Sequence, residues 1–473
     1  MPVAYKWRPI ADLGENPKSL TDGELESLKR VWANQKDEMV QLGTLDEFEK
    51  RLRREWAIET GIIEGVYTLT RGVTRTLIAK GIEAALIPHN ATNRDPVLVA
   101  RIIQDHYDVL ETLFDFVGRQ RQLSTGYVKE LHAGLLRNIE TYTVVDQFGQ
   151  AFEKRLEKGC YKSDPNSPTR PDGLVHEFCP PEHVASEMDR LLQMHIEHET
   201  SGVSAEVEAA WLHHRFAQIH PFADGNGRVA RAITSLVFIK AGWFPLVAKD
   251  DDKARYIESL ENADAEDLRP LVAMFVEAQR NALIQASEVA YDVRPITSPH
   301  DAIVAVRDRL LQRGKLSQRE WLQAKQTAGQ MHQFALKRFG KVAQELQEEI
   351  GSLGKGLSFG SVNGVSNAAP NAKVVQDAGH AADFGEYQAA AQLSLSTGRR
   401  DAIVLSFHAL GPRFHGIIGA VAYLLLQGAE PVPVKHGTFL INYEEDLATA
   451  QTRFSAWLER VIVEGLNEWR KTL

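Results

Sequence analysis

The chain has 473 residues, which is too long for one small domain, so two to four domains are expected. Hydrophobic residues make up 44% and charged residues 25%, the balance of an ordinary globular protein, and the formal net charge of −9 argues against non-specific nucleic-acid binding. The start of the chain lacks the apolar stretch of a secretory signal, and the longest apolar run, Ile417 to Leu426, is broken by Gly419 and too short to span a bilayer. Two cysteines occur, Cys160 and Cys179; reduced thiols are the simplest reading, with a disulfide between them left open. The expectation is a cytoplasmic protein that engages neither membrane nor nucleic acid.

Thr21-Asp-Gly-Glu24 and Thr44-Leu-Asp-Glu47 both read as capping boxes that open helices. The second helix places Phe48, Leu52, Trp56 and Ile63 near one face. It runs into Thr60-Gly-Ile-Ile-Glu64-Gly65, which taken alone is a helix end carrying a solvated glutamate. Asp95-Pro96 forms an N-cap and first-turn pair for an apolar helix reaching about Val117. Ser124 or Thr125 opens the next, in which His132 reads as a hydrogen-bonded core residue. From Gly159 to Pro181 the chain turns rich in Pro, Gly, Asp and Ser, with Leu174 to Phe178 a candidate strand after an Asp172-Gly173 turn.

Ala205 to Ile219 reads as a helix, and Val229, Ile233, Leu236 and Val237 repeat at helical spacing after it, with Gly242 as a stop. Between them lies His220-Pro-Phe-Ala-Asp-Gly-Asn-Gly-Arg-Val-Ala-Arg231, a tight loop feeding a helix N-terminus. Gly225-Asn226-Gly227 lets backbone N–H groups converge where the helix dipole favours an anion. Arg228 and Arg231 are cations at the end of a helix that normally disfavours them, which makes sense if a polyphosphate binds there. His220 can take a proton near neutral pH, and Asp224 offers a hard oxygen ligand suited to Mg2+. Phe222 points to the core and pins the loop. The chemistry suggested is attack by a hydroxyl on a nucleotide phosphate. His213 and His214 lack further ligands at zinc spacing and read as packing residues.

This run resembles the signature of the Fic family, H-x-F-x-D/E-G-N-G-R-x-x-R, with all eight fixed positions filled. The resemblance implies transfer of AMP from ATP to a Ser, Thr or Tyr hydroxyl of a target protein, and to the chain itself. It implies His220 as base, Asp224 on Mg2+, and Gly225, Asn226, Gly227, Arg228 and Arg231 on the nucleotide. Tyr256 resembles an aromatic residue that borders the nucleotide; Asp264 stands where some members carry Asn, which leaves base recognition open. Thr60 to Gly65 resembles the family's inhibitory motif, (S/T)-x-x-x-E-(G/N), placed N-terminally. It implies that Glu64 takes Arg231 and denies it to the γ-phosphate. Leu174 to Phe178 stands where the family has a β-hairpin flap that clamps the target, implying docking on Val175, His176, Glu177 and Phe178.

The resulting expectation is a mainly α fold: a Fic-type helical bundle with a β-hairpin flap, appended helices and a small C-terminal α+β unit. Residues 1–120 form a helical region with the inhibitory helix, 121–285 the catalytic core and 290–350 a helical hairpin opened by caps at Ser298 and Ser317. Residues 351–383, rich in Gly, Ser, Asn and Ala, read as a flexible linker. In 384–473, strands are expected over Asp401–His408 and Glu430–Asn442 and a long helix over Glu444–Trp469, with a partner or homo-oligomer role open. Rival functions are transfer of another nucleotide-linked group or of phosphate, removal of AMP with Glu64 orienting a water, and a non-catalytic nucleotide-sensing module.

Overall fold

The computed structural model describes residues 3–14, 16–43, 45–145, 150–169, 173–292, 318–353, 356–364, 368–378, 380, 382–410 and 416–473. The chain divides into two compact units: Met1–Asp22 with Asp46–Ala282, and Gly23–Leu45 with Leu283–Leu473. The first is almost wholly helical. Its strand β1 (Val3–Tyr5) precedes α1 (Gly23–Leu42), which belongs to the second unit. Then come α2 (Leu45–Ile63), α3 (Arg71–Lys80), α4 (Pro96–Gly118), α5 (Thr125–Leu135), the exposed hairpin β2 (Thr141–Val145) and β3 (Ala151–Arg155), and β4 (Val175–His176). After these follow α6 (Pro181–Ser201), α7 (Ala205–Ile219), α8 (Asn226–Lys240), α9 (Lys253–Asp264) and α10 (Arg269–Asp292).

Local chemistry explains most of these boundaries. Asp95 caps α4, its Oδ1 accepting from Val97 N and Leu98 N at 3.0 Å each, and Ser124 Oγ accepts from Tyr127 N at 3.2 Å to open α5. The Thr21 cap does not form: α1 begins at Gly23, and the Thr21 hydroxyl meets Ser204 Oγ at 3.1 Å instead. Thr44, and the caps expected at Ser298 and Ser317, lie outside the described residues.

α8 is the axle of the first unit. The sequence shows an apolar stripe, but burial is continuous from Arg228 to Ile239, because α4, α5 and α7 all pack around this helix. α2 buries Phe48, Leu52, Trp56 and Ile63, as its spacing predicts. Trp56 Nε1 donates to Ser235 Oγ of α8 at 3.1 Å, which fixes the register of α2 against the axle. Among the described residues no helix is long and apolar enough to cross a membrane.

The second unit is a five-stranded antiparallel sheet in the order β5 (Leu357–Asn363), β6 (Ala382–Thr397), β7 (Arg400–Leu410), β8 (Ile417–Leu425), β9 (Val432–Asn442). It also holds α11 (Gln318–Ile350), α12 (Ala368–Asp377) and α13 (Leu447–Arg470). Residues 351–383, expected as a linker, thus carry β5 and α12. Alternate β7 residues face opposite ways: Ala402 and Val404 pack with Val374 and Val375 of α12, while Phe407 meets Phe454 of α13. Covering both faces explains why β7 and β8 are buried along almost their whole length.

Candidate active site

α7 ends at His220, which caps it in the left-handed region at φ 50, its N–H donating to Phe216 O at 2.9 Å. The loop then closes on itself. Asn226 Oδ1 accepts from Phe222 N at 2.9 Å and its Nδ2 donates to Phe222 O at 2.7 Å. Gly225 starts α8 at φ 81, where a side chain would be strained and would also strike Leu136. Phe222 is fully buried and stacks on His132 at 3.9 Å. Gly159 N donates to His132 Nδ1 at 2.8 Å, so the proton sits on Nε2, which donates to Asp224 O at 3.0 Å. His132, read from sequence as a core residue, therefore fixes the backbone of the loop's carboxylate.

His220 Nδ1 lies 3.2 Å from Ala217 O, and since a carbonyl only accepts, this nitrogen carries the proton. Nε2 is left as the basic atom. Burial, then the charge of Lys162, lowers the imidazole pKa to about 3, so the ring is neutral. Phe178 stacks on it at 3.7 Å, 5° from parallel. Lys162 N donates to Pro221 O at 2.8 Å and Lys162 Nζ to Ile219 O at 3.4 Å, bracketing His220 from both sides. Asn166 Nδ2 donates to Phe222 O at 2.7 Å. Neither Lys162 nor Asn166 was singled out in the sequence, because they lie in a stretch with no period.

Arg231 is fully buried and its whole fork is engaged. Nε donates to Thr60 Oγ1 at 2.7 Å, Nη2 to Thr60 O at 2.9 Å and Nη1 to Glu64 Oε1 at 2.8 Å. Glu64 also lies directly over Gly227: a Cβ there would come within 2.2 Å of Glu64 Oε1. A carboxylate thus occupies the first turn of α8, where the helix dipole favours an anion. Burial raises the Glu64 pKa, but Arg231 and Arg228 outweigh it and hold the group below its ordinary value.

Arg228 is 2% exposed, and its Nη2 donates to Asp224 Oδ2 at 2.9 Å, yet its Nε and Nη1 have no partner. An unpaired buried donor costs about 1–3 kcal/mol, so these two N–H groups call for an acceptor. Tyr256 is buried; its hydroxyl donates to His213 Nε2 at 2.6 Å, and His213 Nδ1–H donates to Thr234 Oγ1 at 2.8 Å. His214 Nε2 and Asp264 Oδ1 are 3.0 Å apart, so this carboxylate bonds the imidazole. Both histidines are packing and hydrogen-bonding residues, and among the described residues no group of three or more His, Cys, Asp or Glu could hold a metal ion. The sequence-marked residues His220, Asp224, Gly225 to Arg228, Arg231, Glu64 and Phe178 therefore form one locus.

The buried neutral histidines make stability depend on pH. Burial is the first cause lowering His106, His213 and His220 to about 3 and His132 to about 4, against an ordinary value of 6.5. The unfolded chain binds protons at these positions that the folded chain refuses. Their stabilising contribution is complete above about pH 6.5 and is lost as pH falls from there towards about 3. His198 opposes this: burial lowers its pKa, but Glu208 and Asp12 outweigh burial and raise it. His214, His380 and His408 are lowered by burial as well, while Glu59, raised to about 7 by burial, sides with His198. The seven lowered histidines outweigh these, so the midpoint of thermal unfolding should drop between about pH 7.5 and pH 5; a flat profile by circular dichroism would contradict the neutral assignment.

Residues 122–238 match the model of the Fic/DOC family, so the chain carries a Fic domain over the α5–α8 region. Protein adenylyltransferase fic-1 of Caenorhabditis elegans is 33% identical over 250 residues, covering 50% of this chain and 42% of that protein. Protein adenylyltransferase Fic of Nematostella vectensis is 32% identical over 100 residues, covering 20% of this chain and 23% of that one. The chain spans less than half the length of these curated relatives. Among solved structures, a Fic-domain-containing signaling protein from Bacteroides thetaiotaomicron aligns with TM-score 0.44 and 24% identity, over 55% of this chain and 96% of that one. Fic-1 of C. elegans aligns with TM-score 0.40 and 22% identity, over 56% of this chain and 71% of that one.

Proposed function

We propose that this chain is a self-inhibited protein adenylyltransferase. The observation that carries this reading is a carboxylate held at the N-terminus of α8 by the arginine of the His220–Arg231 run. Glu64 sits on Gly227 and Arg231, while Arg228 buries two N–H groups with no acceptor. A nucleoside triphosphate satisfies both arginines once Glu64 yields.

In the proposed reaction His220 Nε2 takes the proton from a target hydroxyl. The hydroxyl oxygen bonds to the α-phosphorus of ATP, the bond to the bridging oxygen breaks, and pyrophosphate leaves with that electron pair. The α8 N-terminus and Arg228 stabilise negative charge on the phosphates. With Glu64 on Arg231, the γ-phosphate is kept from the guanidinium, and ATP is held out of line for attack. Asp224 fits a role in metal binding: it is a hard carboxylate, 40% exposed, with one oxygen on Arg228. Asp224 would hold a magnesium ion there, which would supply positive charge to the phosphate oxygens. Asp224→Ala should weaken ATP binding in magnesium and slow transfer together. Equal ATP affinity in magnesium and in excess chelator, by calorimetry on the unsubstituted protein, would rule that role out.

The reading is tested by incubating the Glu64→Gly protein with ATP, UTP or CDP-choline and measuring intact mass. A gain of one AMP from ATP supports it; a gain only from another donor would replace AMP with that group.

A further inference from the structure

The strand expected to clamp a target is already paired. Val175 bridges Thr169 in antiparallel fashion, and the inner donors of this arm are used locally: His176 N donates to Pro168 O at 3.0 Å and Phe178 N to Ser167 Oγ at 3.1 Å. Donors alternate along a strand, so Glu177 N–H faces outward. It donates to Tyr5 O at 2.9 Å. β1 runs parallel to β4, with Val3 opposite Val175 and Tyr5 opposite His176. The Tyr5 ring stacks on His176 at 4.7 Å, and Gln218 Nε2 donates to its hydroxyl.

Past Tyr5 the chain is strapped to α6 and α7. Ile10 N donates to Glu187 Oε2 at 2.7 Å, Trp211 Nε1 to Ala11 O at 3.1 Å and His198 Nε2 to Asp12 Oδ1 at 2.7 Å. The strap keeps β1 at high effective concentration beside the edge. A ladder of rings leads from there to the base: Tyr5 on His176, His176 against Phe178 at 4.9 Å, and Phe178 on His220 at 3.7 Å.

We infer that the outer edge of Val175–Phe178 docks an extended polypeptide running parallel to it with an aromatic side chain on His176, and that Val3–Tyr5 of this chain is the resident occupant a target must displace. The inference rests on the flap reading of this segment and adds to it a direction, a side-chain preference and a competitor. Main-chain pairing gives such docking its affinity and the ring contact its selectivity.

The test is amide hydrogen exchange over residues 174–179 in the full chain. In Tyr5→Ala the Glu177 amide should exchange at least about ten-fold faster than in the unsubstituted protein. Millimolar acetylated peptide Pro-Val-Ala-Tyr-Lys-Trp should restore its protection, and the same peptide with Ala for Tyr should not. If melting shows that Tyr5→Ala does not fold, Tyr5→Leu, which keeps apolar bulk but no ring, replaces it. Unchanged exchange in the variant overturns the role of β1. Failure of the tyrosine peptide to protect, or equal protection by both peptides, overturns the docking surface. Self-labelling of Glu64→Gly with ATP is read in parallel. Labelling without peptide protection overturns this inference alone, and protection without labelling overturns the transferase reading alone.

Discussion

His220→Ala should remove AMP transfer and leave ATP affinity within a few-fold. The side chain contributes no contact to the arginines or to the α8 N-terminus; its Nδ1–H is spent on Ala217 O, and what remains is the lone pair on Nε2. That lone pair serves the incoming hydroxyl, so the loss falls on the rate and amounts to roughly 10²–10⁴-fold, the usual contribution of a positioned general base. With its pKa lowered to about 3, first by burial and then by Lys162, the imidazole does not titrate between pH 6 and 9 in the closed state. Transfer rates and calorimetric ATP affinity, measured on the same preparation, separate the two effects. Transfer at the unsubstituted rate would sink the mechanism.

Glu64→Gly should raise transfer at least about ten-fold. The Glu64–Arg231 bond is charge-assisted and mostly shielded, with the Glu64 side chain 24% exposed and Arg231 1%. A bond of this kind is favourable by about 1.5–3 kcal/mol, and each 1.4 kcal/mol is a factor of ten in the ratio of closed to open molecules. Removing the carboxylate also clears Gly227, whose backbone then faces an open anion position. The Glu64 pKa is depressed, so the lock is fully present above the ordinary carboxylate pKa and is lost only as pH falls through the lowered value. The fold increase from Glu64→Gly should therefore be the same at pH 6.5 and pH 8. An increase that vanishes at the higher pH would mean that another group does the locking.

The site was legible where several demands meet in few residues. The run from His220 to Arg231 must supply a base, a carboxylate, a positive φ at Gly225 and two guanidinium groups, and few sequences do so by accident. Glu64 was legible only beside that run, because a glutamate at a helix end is ordinary until it is seen lying on Gly227. Lys162, Asn166 and His132, which hold the loop, left no such mark: their hydrogen bonds go to backbone carbonyls of the distant motif, and a carbonyl has no sequence. The same reason hid β1, whose contact with Glu177 is main chain to main chain. In the second unit β7 was marked by Ile403, Val404 and Phe407, but β5 and α12 were read as linker because their residues are small and polar. They form through pairing with β6 and packing on β7 and β8, a tertiary effect that composition does not carry.

The central claim is that one guanidinium serves two rivals, Glu64 and the nucleotide. It is tested most directly by the transfer rates of four proteins at saturating ATP: unsubstituted, Glu64→Gly, Arg231→Ala and the double variant. Shared use of Arg231 predicts that Glu64→Gly is the fastest by at least about ten-fold, that Arg231→Ala is not activated although its lock is gone, and that the double variant matches Arg231→Ala. A double variant as fast as Glu64→Gly would show that Arg231 does nothing for the nucleotide, and a Glu64→Gly protein no faster than the unsubstituted one would reduce Thr60 to Gly65 to a helix end.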